Sequence, residues 1–198
     1  MSLKTSLLHP TRGRPSLAFK CYNEWVDNAV NPKEIEYIMV LDDDDPSLEE
    51  YRKELEMCDK DKVGRFVFEV GETRTCVQAL YKASFFMSAE TESILGMTDD
   101  VGSMKNWDQL LFDILKPYDN FKEPKFIGVN DGVSNAMLYL IINKAWYTRV
   151  GHVIYPEYTG YFADDDMRET AKLLNSVTMA PHITFEHRHP AVGKAPWD

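Results

Sequence analysis

Four groups of residues in this chain bring carboxylates or imidazoles close together, which is the arrangement that metal and phosphate chemistry requires. Three are aspartate runs and one is a histidine-rich segment, at residues 42–45, 99–100, 164–166 and 187–189. Neighbouring carboxylates repel one another, so a cation is often found near them. Mg²⁺ and Mn²⁺ prefer oxygen ligands and keep positions open for phosphate oxygens. The pattern favours a metal-assisted reaction of a phosphate-containing substrate.

Each group also has a structural interpretation. The pair Asp99–Asp100 is consistent with a helix cap or a solvated turn, and residues 42–45 are consistent with an acidic turn before Pro46. The spacing of an EF-hand calcium loop is missing there. Residues 164–166 begin a predicted helix, where the helix dipole favours aspartate, although three exceed what capping needs. The histidine segment alone is typical of an exposed tail. The combination of all four favours a catalytic site.

The elements that position these groups alternate between strand and helix. A strand at 5–9, a helix from Leu17 to about Asn31 and a continuous apolar strand at 37–41 lead into the first aspartate run. A helix at 47–57, a strand at 65–70, a helix at 75–89 and a strand at 93–97 then lead to the second. Ligands of open α/β sheets bind beyond the carboxyl ends of the strands, so we expect both runs at one edge.

The second half of the chain is more mixed. Its apolar spacing predicts helices at 107–115 and 164–174, strands at 126–129 and 136–143, and one further strand within the tail from residue 178. Tyr155, Tyr158, Tyr161 and Phe162 are interpreted either as core residues or as the lining of an acceptor groove. No repeat or linker interrupts the 198 residues, which predicts a single α/β domain.

Composition excludes several functional classes. With 22 basic and 32 acidic residues the formal net charge is -10, and no basic patch suited to nucleic acid or to anionic membrane is present. No stretch reaches the roughly 20 apolar residues of a membrane span, and no secretory signal is visible. Cys21, Cys58 and Cys76 lack zinc spacing and indicate core residues in a reducing compartment. These features predict a soluble cytoplasmic protein. The sequence also contains no Walker loop, dinucleotide fingerprint or nucleophile elbow.

In their order along the chain, these motifs resemble the GT-A glycosyltransferases of the inverting family 2 type, most closely small phage-type members. Residues 7–15 (LLHPTRGRP) are similar to the opening strand and nucleotide-side loop, and 38–43 (IMVLDD) to the strand whose second Asp contacts the donor base. Residues 98–100 (TDD) take the place of the DxD-type motif. Residues 163–167 (ADDDM) resemble the acidic motif that supplies the base, and 186–190 (EHRHP) the late histidine motif.

This resemblance implies a GT-A fold, with a mixed, mostly parallel sheet flanked by helices. The half at 1–100 would bind the donor, and the half at 101–198 would bind the acceptor and carry catalysis. It implies a hexosyltransferase-like enzyme that moves a sugar, with Mn²⁺ or Mg²⁺, from a nucleotide-sugar donor to a saccharide or other hydroxyl acceptor. Asp164 is then the expected base, or Asp165, because Ala163 stands where Glu is common. The expected metal ligands are Asp100, His187 and His189. The expected donor-binding residues are Pro10, Thr11, Arg12, Arg14, Asp43, Asp99 and Lys194.

Two other classes of function use aspartates at strand ends. A nucleotidyltransferase or a metal-dependent phosphohydrolase does so, but nucleotidyltransferases usually carry a glycine-rich basic loop after the first strand, and residues 11–15 contain a single glycine. A catalytically silent GT-A domain that binds a nucleotide or sugar would keep Asp43 and tolerate the loss of Asp164. Tyr81, which stands where many members of the family carry Asn, is a further departure from their pattern.

Overall fold

The computed structural model describes residues 3–118, 121–132 and 139–188. Its strands are β1 (Thr5–Thr11), β2 (Ile35–Asp42), β3 (Arg65–Gly71), β4 (Ser93–Gly96), β5 (Val101–Gly102), β6 (Phe126–Asn130), β7 (Ile141–Asn143), β8 (Val177–Thr184) and β9 (Glu186–His187). Its α-helices are α1 (Pro15–Asp27), α2 (Leu48–Met57), α3 (Cys76–Ala83), α4 (Trp107–Leu115), α5 (Lys144–Val150) and α6 (Ala163–Leu173). Short 3-10 helices lie at Pro32–Glu34, Lys60–Lys62 and Ser84–Phe86.

Seven strands form one sheet in the order β3-β2-β1-β4-β7-β6-β8. Strands β3, β2, β1 and β4 are parallel neighbours, and β6 is parallel to β8. Strand β7 runs against both β4 and β6. The predicted α/β class with a mixed, mostly parallel sheet is therefore confirmed. The remaining strands, β5 and β9, pair antiparallel as a separate small ribbon.

Each face of the sheet carries its own apolar core, because successive side chains of a strand point to opposite faces. On β1, Leu7 packs into one cluster with α1 and α4, and Leu8 packs into the other with α3 and α6. Three tryptophans anchor these layers, since Trp25 and Trp107 are fully buried in the first cluster and Trp146 in the second. The two covered faces leave the edges of the sheet as the places where polar groups can gather.

The sequence predicts most elements but misjudges several ends. The α4 bounds agree with the prediction, whereas α1 ends at Asp27 and α3 at Ala83, earlier than expected. The described part of the predicted strand 136–143 pairs only over Ile141–Asn143, and residues 136–138 lie outside the described part. Helix α5 was not predicted, because its seven residues are rich in aromatic and β-branched types. Its ends nevertheless carry capping signals, Asn143 and Gly151.

Helix length bears on the membrane question. Of the helices in the described residues, α1 is the longest at 13 residues, and none is both long and apolar enough to span a bilayer.

Candidate functional site

A cleft lies along the edge where β1 to β4 end, since parallel strands bring their carboxyl ends together. It consists of two adjoining cavities. We call the smaller the polar cavity, of about 240 Å³, lined by Pro10, Thr11, Arg12, Asp42, Arg74, Thr75, Ala79 and Asp99. We call the larger the apolar cavity, of about 450 Å³, lined by Leu80, Gly96, Met97, Asp100, Val101, Phe126, Tyr139, Leu140, Ile154, Asp164, Met167 and His187. Arg14, Cys76 and Thr98 line both cavities, so the two adjoin one another in the cleft.

The floor of the polar cavity is a buried hydrogen-bond network around Asp99. One carboxylate oxygen of Asp99 lies 2.8 Å from Nε2 of His9, and the other accepts from Oγ1 of Thr11 at 3.0 Å. His9 is fully buried, and its Nδ1 lies 2.6 Å from the hydroxyl of Tyr37. The hydroxyl of Tyr51 lies 2.7 Å from Oγ1 of Thr11. A buried carboxylate is stable only with such partners.

The direction of these hydrogen bonds follows from the two tyrosines. Burial raises the pKa of Tyr37 well above its ordinary value and raises the pKa of Tyr51 to about 12, so both keep their protons at neutral pH. Every donor then finds an acceptor when Tyr37 donates to Nδ1 of His9 and Nε2–H of His9 donates to Asp99. Tyr51 likewise donates to Thr11, which donates to Asp99.

This network ties four elements together beneath the cleft. His9 and Thr11 lie on β1, Tyr37 on β2 and Tyr51 on α2, while Asp99 follows β4. The backbone N–H of Arg14 donates to the Tyr51 hydroxyl at 2.9 Å, which extends the network into the loop after β1. Asp99 was expected to bind the donor. It lines the polar cavity, but both of its oxygens are engaged with the protein.

Two members of the first aspartate run turn inward. Asp42 is buried and accepts from Nη1 of Arg12 at 2.6 Å and from the hydroxyl of Thr73. Asp45 is buried and accepts from the backbone N–H of Gly13 at 2.8 Å. Gly13 has φ +71°, a conformation that favours glycine. These two carboxylates therefore fix the loop after β1 against the end of β2.

The other two members of the run are exposed and pair with arginines at the rim. Asp43, the residue expected to contact a donor base, lies 2.9 Å from Nη1 of Arg74. Asp44 pairs with Arg12. Asp43 does not line the polar cavity, whereas its neighbour Asp42 does. The run therefore divides into a buried pair, Asp42 and Asp45, and an exposed turn whose two carboxylates pair with arginines.

Asp100 and His187, both expected as metal ligands, come together at the entrance of the apolar cavity. Oδ2 of Asp100 lies 3.2 Å from Nε2 of His187, and Oδ1 accepts from Oγ1 of Thr98 at 2.6 Å. The ribbon of β5 and β9 makes this contact, because Val101 pairs with His187. The backbone N–H of Arg188 also donates to the carbonyl of Asp100 at 2.8 Å.

An ion pair with α1 anchors the end of this ribbon. Arg188 donates to both carboxylate oxygens of Glu24, at 2.7 and 2.6 Å. This bidentate geometry is the strongest form of such a pair, and the hydrogen bond to Glu24 raises the pKa of Arg188. Gly102 lies directly below, where any Cβ would collide with the guanidinium and the carboxylate. A side chain at Gly102 would therefore force the side chains of Arg188 and Glu24 to shift.

The donor set of Asp100 and His187 fits a divalent cation. Two ligands at adjacent positions of an octahedral ion, each about 2.1 Å from it, lie about 3 Å apart, close to the observed separation of the two atoms. Within the described ranges, no three His, Cys, Asp or Glu residues converge on one point. The pair would therefore leave several positions for ligand oxygens. His189 and Lys194, which were also expected at the site, lie outside the described residues.

The last aspartate run begins α6, and its members differ in their surroundings. Asp164 lines the apolar cavity together with Asp100 and His187, and its carboxylate has no hydrogen-bond or ion-pair partner among the residues described. Asp165 pairs instead with Arg168, one turn further along α6. Of the two expected bases, only Asp164 shares the cavity.

Comparison with known proteins gives matches by structure and none by sequence. No family model and no curated protein matches the chain. TarS 1–349 of S. aureus, solved with UDP, superposes with a TM-score of 0.72 at 14% identity over 92% of this chain and 59% of TarS. A mannosyltransferase of Pyrobaculum calidifontis, solved with GDP-Man and Mn²⁺, gives 0.71 at 13% identity over 96% and 58%. The catalytic domain of Drosophila β1,4-galactosyltransferase 7, with xylobiose, gives 0.60 at 14% over 94% and 71%.

The chain has a GT-A fold. The predicted GT-A fold is thereby confirmed at the level of strand order and helix placement. The chain spans less than two thirds of the length of TarS and of the mannosyltransferase. The likeness is in the backbone, since at most 14% of aligned residues are identical in these three comparisons.

Four residues of the GT-A cleft and of the network beneath it were missed or misinterpreted in the sequence. Arg74 follows β3 and lies at the same edge of the sheet as Arg12. The sequence feature that could have identified it is a basic residue just after a predicted parallel strand. Tyr37 lies in the apolar run of β2 and Tyr51 in the charged helix α2, and neither pattern marks a hydroxyl that will form a buried hydrogen bond. Cys76 was interpreted as a core residue but faces the cleft. Desolvation by the surrounding protein, followed by the charge of Asp99, raises the pKa of its thiol to about 11, so the thiol is protonated at neutral pH.

We expect Tyr37→Phe to destabilise the protein, because it leaves the buried Nδ1 of His9 without a partner. The free energy of unfolding should fall by about 1–3 kcal/mol. Urea denaturation measures it. Tyr161→Phe is the matched control, since Tyr161 is 89% exposed and should lose nothing measurable. Equal stability of the two variants would show that the network does not contribute.

We expect Arg188→Ala to loosen the ribbon of β5 and β9. A partly exposed bidentate pair contributes about 1 kcal/mol after solvent screening, so amide hydrogen exchange at the paired residues Gly102 and Glu186 should become about fivefold faster. Arg52→Ala, which removes an exposed arginine on α2, serves as the control. Unchanged exchange in Arg188→Ala would mean that the Glu24 pair does not hold the ribbon.

Proposed function

We propose that this protein is a metal-dependent, inverting glycosyltransferase that moves a sugar from a nucleotide-diphosphate donor to a hydroxyl of an acceptor. One observation carries the proposal. The Asp100–His187 pair and the unpartnered carboxylate of Asp164 line the same cavity, at the carboxyl edge of a GT-A sheet. A pair that could hold a metal and a candidate general base therefore line one space, as a transfer between a phosphate and a hydroxyl requires.

The polar cavity is suited to the nucleotide part of the donor. Arg12 and Arg74 lie at its rim, and Arg14 lies where it joins the apolar cavity. Guanidinium groups bind phosphate oxygens well. Solved GT-A structures with UDP and with GDP-Man support a nucleotide donor here too. We assign the diphosphate to the junction of the cavities, beside Arg14 and Thr98.

Asp100 and His187 would hold Mn²⁺ or Mg²⁺. A bound divalent ion stabilises the negative charge that develops on a departing diphosphate. Arg14 acts on the same charge through its guanidinium. The ribbon of β5 and β9 keeps the imidazole of His187 beside the carboxylate of Asp100, so this pair is in place before the donor arrives. The mannosyltransferase solved with Mn²⁺ supports a divalent ion in this fold.

Asp164 is the proposed general base. Its carboxylate, which has no partner in the described part of the chain, accepts the proton of the acceptor hydroxyl. The hydroxyl oxygen forms a bond to the anomeric carbon of the donor sugar as the bond from that carbon to the diphosphate oxygen breaks. A single displacement of this kind inverts the anomeric centre. Asp165 remains in its pair with Arg168 and takes no part.

A donor-binding test addresses the metal and the nucleotide together. We expect one nucleoside diphosphate to raise the melting temperature only when Mn²⁺ is present. At a concentration of 100 times Kd the gain is about 2.7 kcal/mol, which is about 5–10 °C for a chain of this size. Asp100→Asn should abolish the shift, and Asp113→Asn, an exposed aspartate on α4, should not. A shift in Asp100→Asn equal to that of the wild type would contradict the assignment of Asp100.

A turnover test addresses the base. With a panel of nucleotide sugars, Asp164→Asn should lower kcat by about 10²–10⁴-fold and leave the Mn²⁺-dependent nucleotide shift intact. Asp165→Asn is the matched control and should change kcat by less than about threefold. Loss of turnover in Asp165→Asn alone would transfer the role to that residue. A nucleotide shift without transfer from any donor would identify a silent binding domain.

A further inference from the structure

Most of the wall of the apolar cavity consists of buried hydrophobic side chains. Leu80, Met97, Leu140, Ile154 and Met167 line it, and each is at most 8% exposed. They come from α3, from the segment after β4, from the residue before β7, from the loop after α5 and from α6. The wall is therefore a built surface to which five parts of the fold contribute, rather than the exposed flank of one helix.

Gly96 completes this wall at the end of β4. A Cβ at Gly96 would lie 3.0 Å from Cδ2 of Leu140 and 3.1 Å from Cδ2 of Leu80. The cavity measures about 450 Å³, whereas an apolar cavity of about 150 Å³ already holds benzene. The space can therefore contain a sugar ring near the metal pair and an apolar ring or chain beyond it.

The polar side chains that line the cavity are not part of its apolar wall. Arg14, Thr98, Asp100, Asp164 and His187 belong to the proposed donor and base positions.

Two further residues of the wall, Tyr139 and Cys76, carry a polar atom but no charge. The hydroxyl of Tyr139 donates to the carbonyl of Phe185 at 3.0 Å, so its ring is what remains for the cavity. The thiol of Cys76 is neutral, because its pKa is raised to about 11 by its protein surroundings and by nearby carboxylates. The described wall thus offers a saccharide few partners, and sugar hydroxyls pressed against it would lose hydrogen bonds to water without replacement.

We propose that the acceptor is an amphiphilic alcohol, whose hydroxyl meets Asp164 and whose aryl or alkyl group occupies the apolar cavity. The proposal rests on the glycosyltransferase function above and names its acceptor class. Burial of an apolar group in such a cavity is favourable in proportion to its area. A fully polar free sugar would be the poorer acceptor for the same reason.

Binding of matched glycosides tests the acceptor class directly. The protein, with Mn²⁺ and the nucleoside diphosphate that shifts its melting temperature, is titrated calorimetrically with phenyl, octyl and methyl β-D-glucopyranoside, and with the corresponding galactosides and mannosides. For at least one sugar, we expect the phenyl or octyl glycoside to bind about tenfold more tightly than its methyl counterpart. The kcat/KM values for transfer should follow the same order.

A variant of the wall locates the effect. Met167→Gln keeps the length of the side chain but places an amide in the cavity, and it should remove most of the tenfold preference while leaving the nucleotide shift unchanged. Leu173→Gln is the matched control, because Leu173 lies on the same helix and is 88% exposed. The preference should persist in that control. If Met167→Gln fails to fold, the comparison of glycosides on the wild type still decides.

The possible results separate the two proposals. Equal binding of methyl, phenyl and octyl glycosides, with the nucleotide shift intact, overturns the acceptor class and leaves the glycosyltransferase proposal standing. Occupation of the cavity by residues of this chain outside the described ranges would give that result. A preference that survives in Met167→Gln also overturns the assignment. If no nucleoside diphosphate shifts the melting temperature, the glycosyltransferase proposal fails, and with it the assignment of this cavity to an acceptor.

Discussion

The carboxylate of Asp99 is buried between His9 and Thr11, and the geometry of the whole cleft depends on it. A buried charge must be matched by hydrogen bonds. If the segment after β4 moved away from the end of β1, Asp99 would lose its hydrogen bonds to His9 and Thr11, at a cost of several kcal/mol for an unpaired buried ion. The tyrosines behind His9 and Thr11 extend this constraint to β2 and α2. The next residue, Asp100, is thereby held in a fixed position in the cleft.

A second constraint comes from residues far apart in the chain. Glu24 on α1 holds Arg188, and the ribbon of β5 and β9 then brings His187 to Asp100. The two constraints meet at consecutive residues, since Asp99 belongs to the network and Asp100 to the proposed metal-binding pair. Because both constraints are internal to the protein, the proposed site would need little reorganisation for catalysis. Asp164, the proposed base, lines the same cavity from the first turn of α6.

The cleft is divided by chemistry as well as by shape. At the polar end, Arg12 and Arg74 are paired with aspartates, so a diphosphate that binds there would compete with those carboxylates for the arginines. At the apolar end, hydrophobic side chains from five parts of the fold surround a larger space. A donor with a charged diphosphate and an acceptor with an apolar body would each meet a matching surface, and the sugar would pass between them beside Asp100.

The sequence by itself determined the α/β class, most helices and strands, and the edge at which the acidic groups gather, because apolar periodicity and the ends of parallel strands are local properties. The GT-A resemblance also followed from motif order alone. Only the tertiary structure decided which aspartates have partners: Asp42 and Asp45 turn inward, Asp43 pairs with Arg74, and Asp164 differs from Asp165 although the two are adjacent. It also decided that Asp99 serves the buried network and that Glu24 anchors Arg188. Most of these roles depend on contacts between residues 30 to 164 positions apart, and no local pattern in the chain encodes a contact of that range. The pair of Asp165 with Arg168, three positions apart, is the local exception.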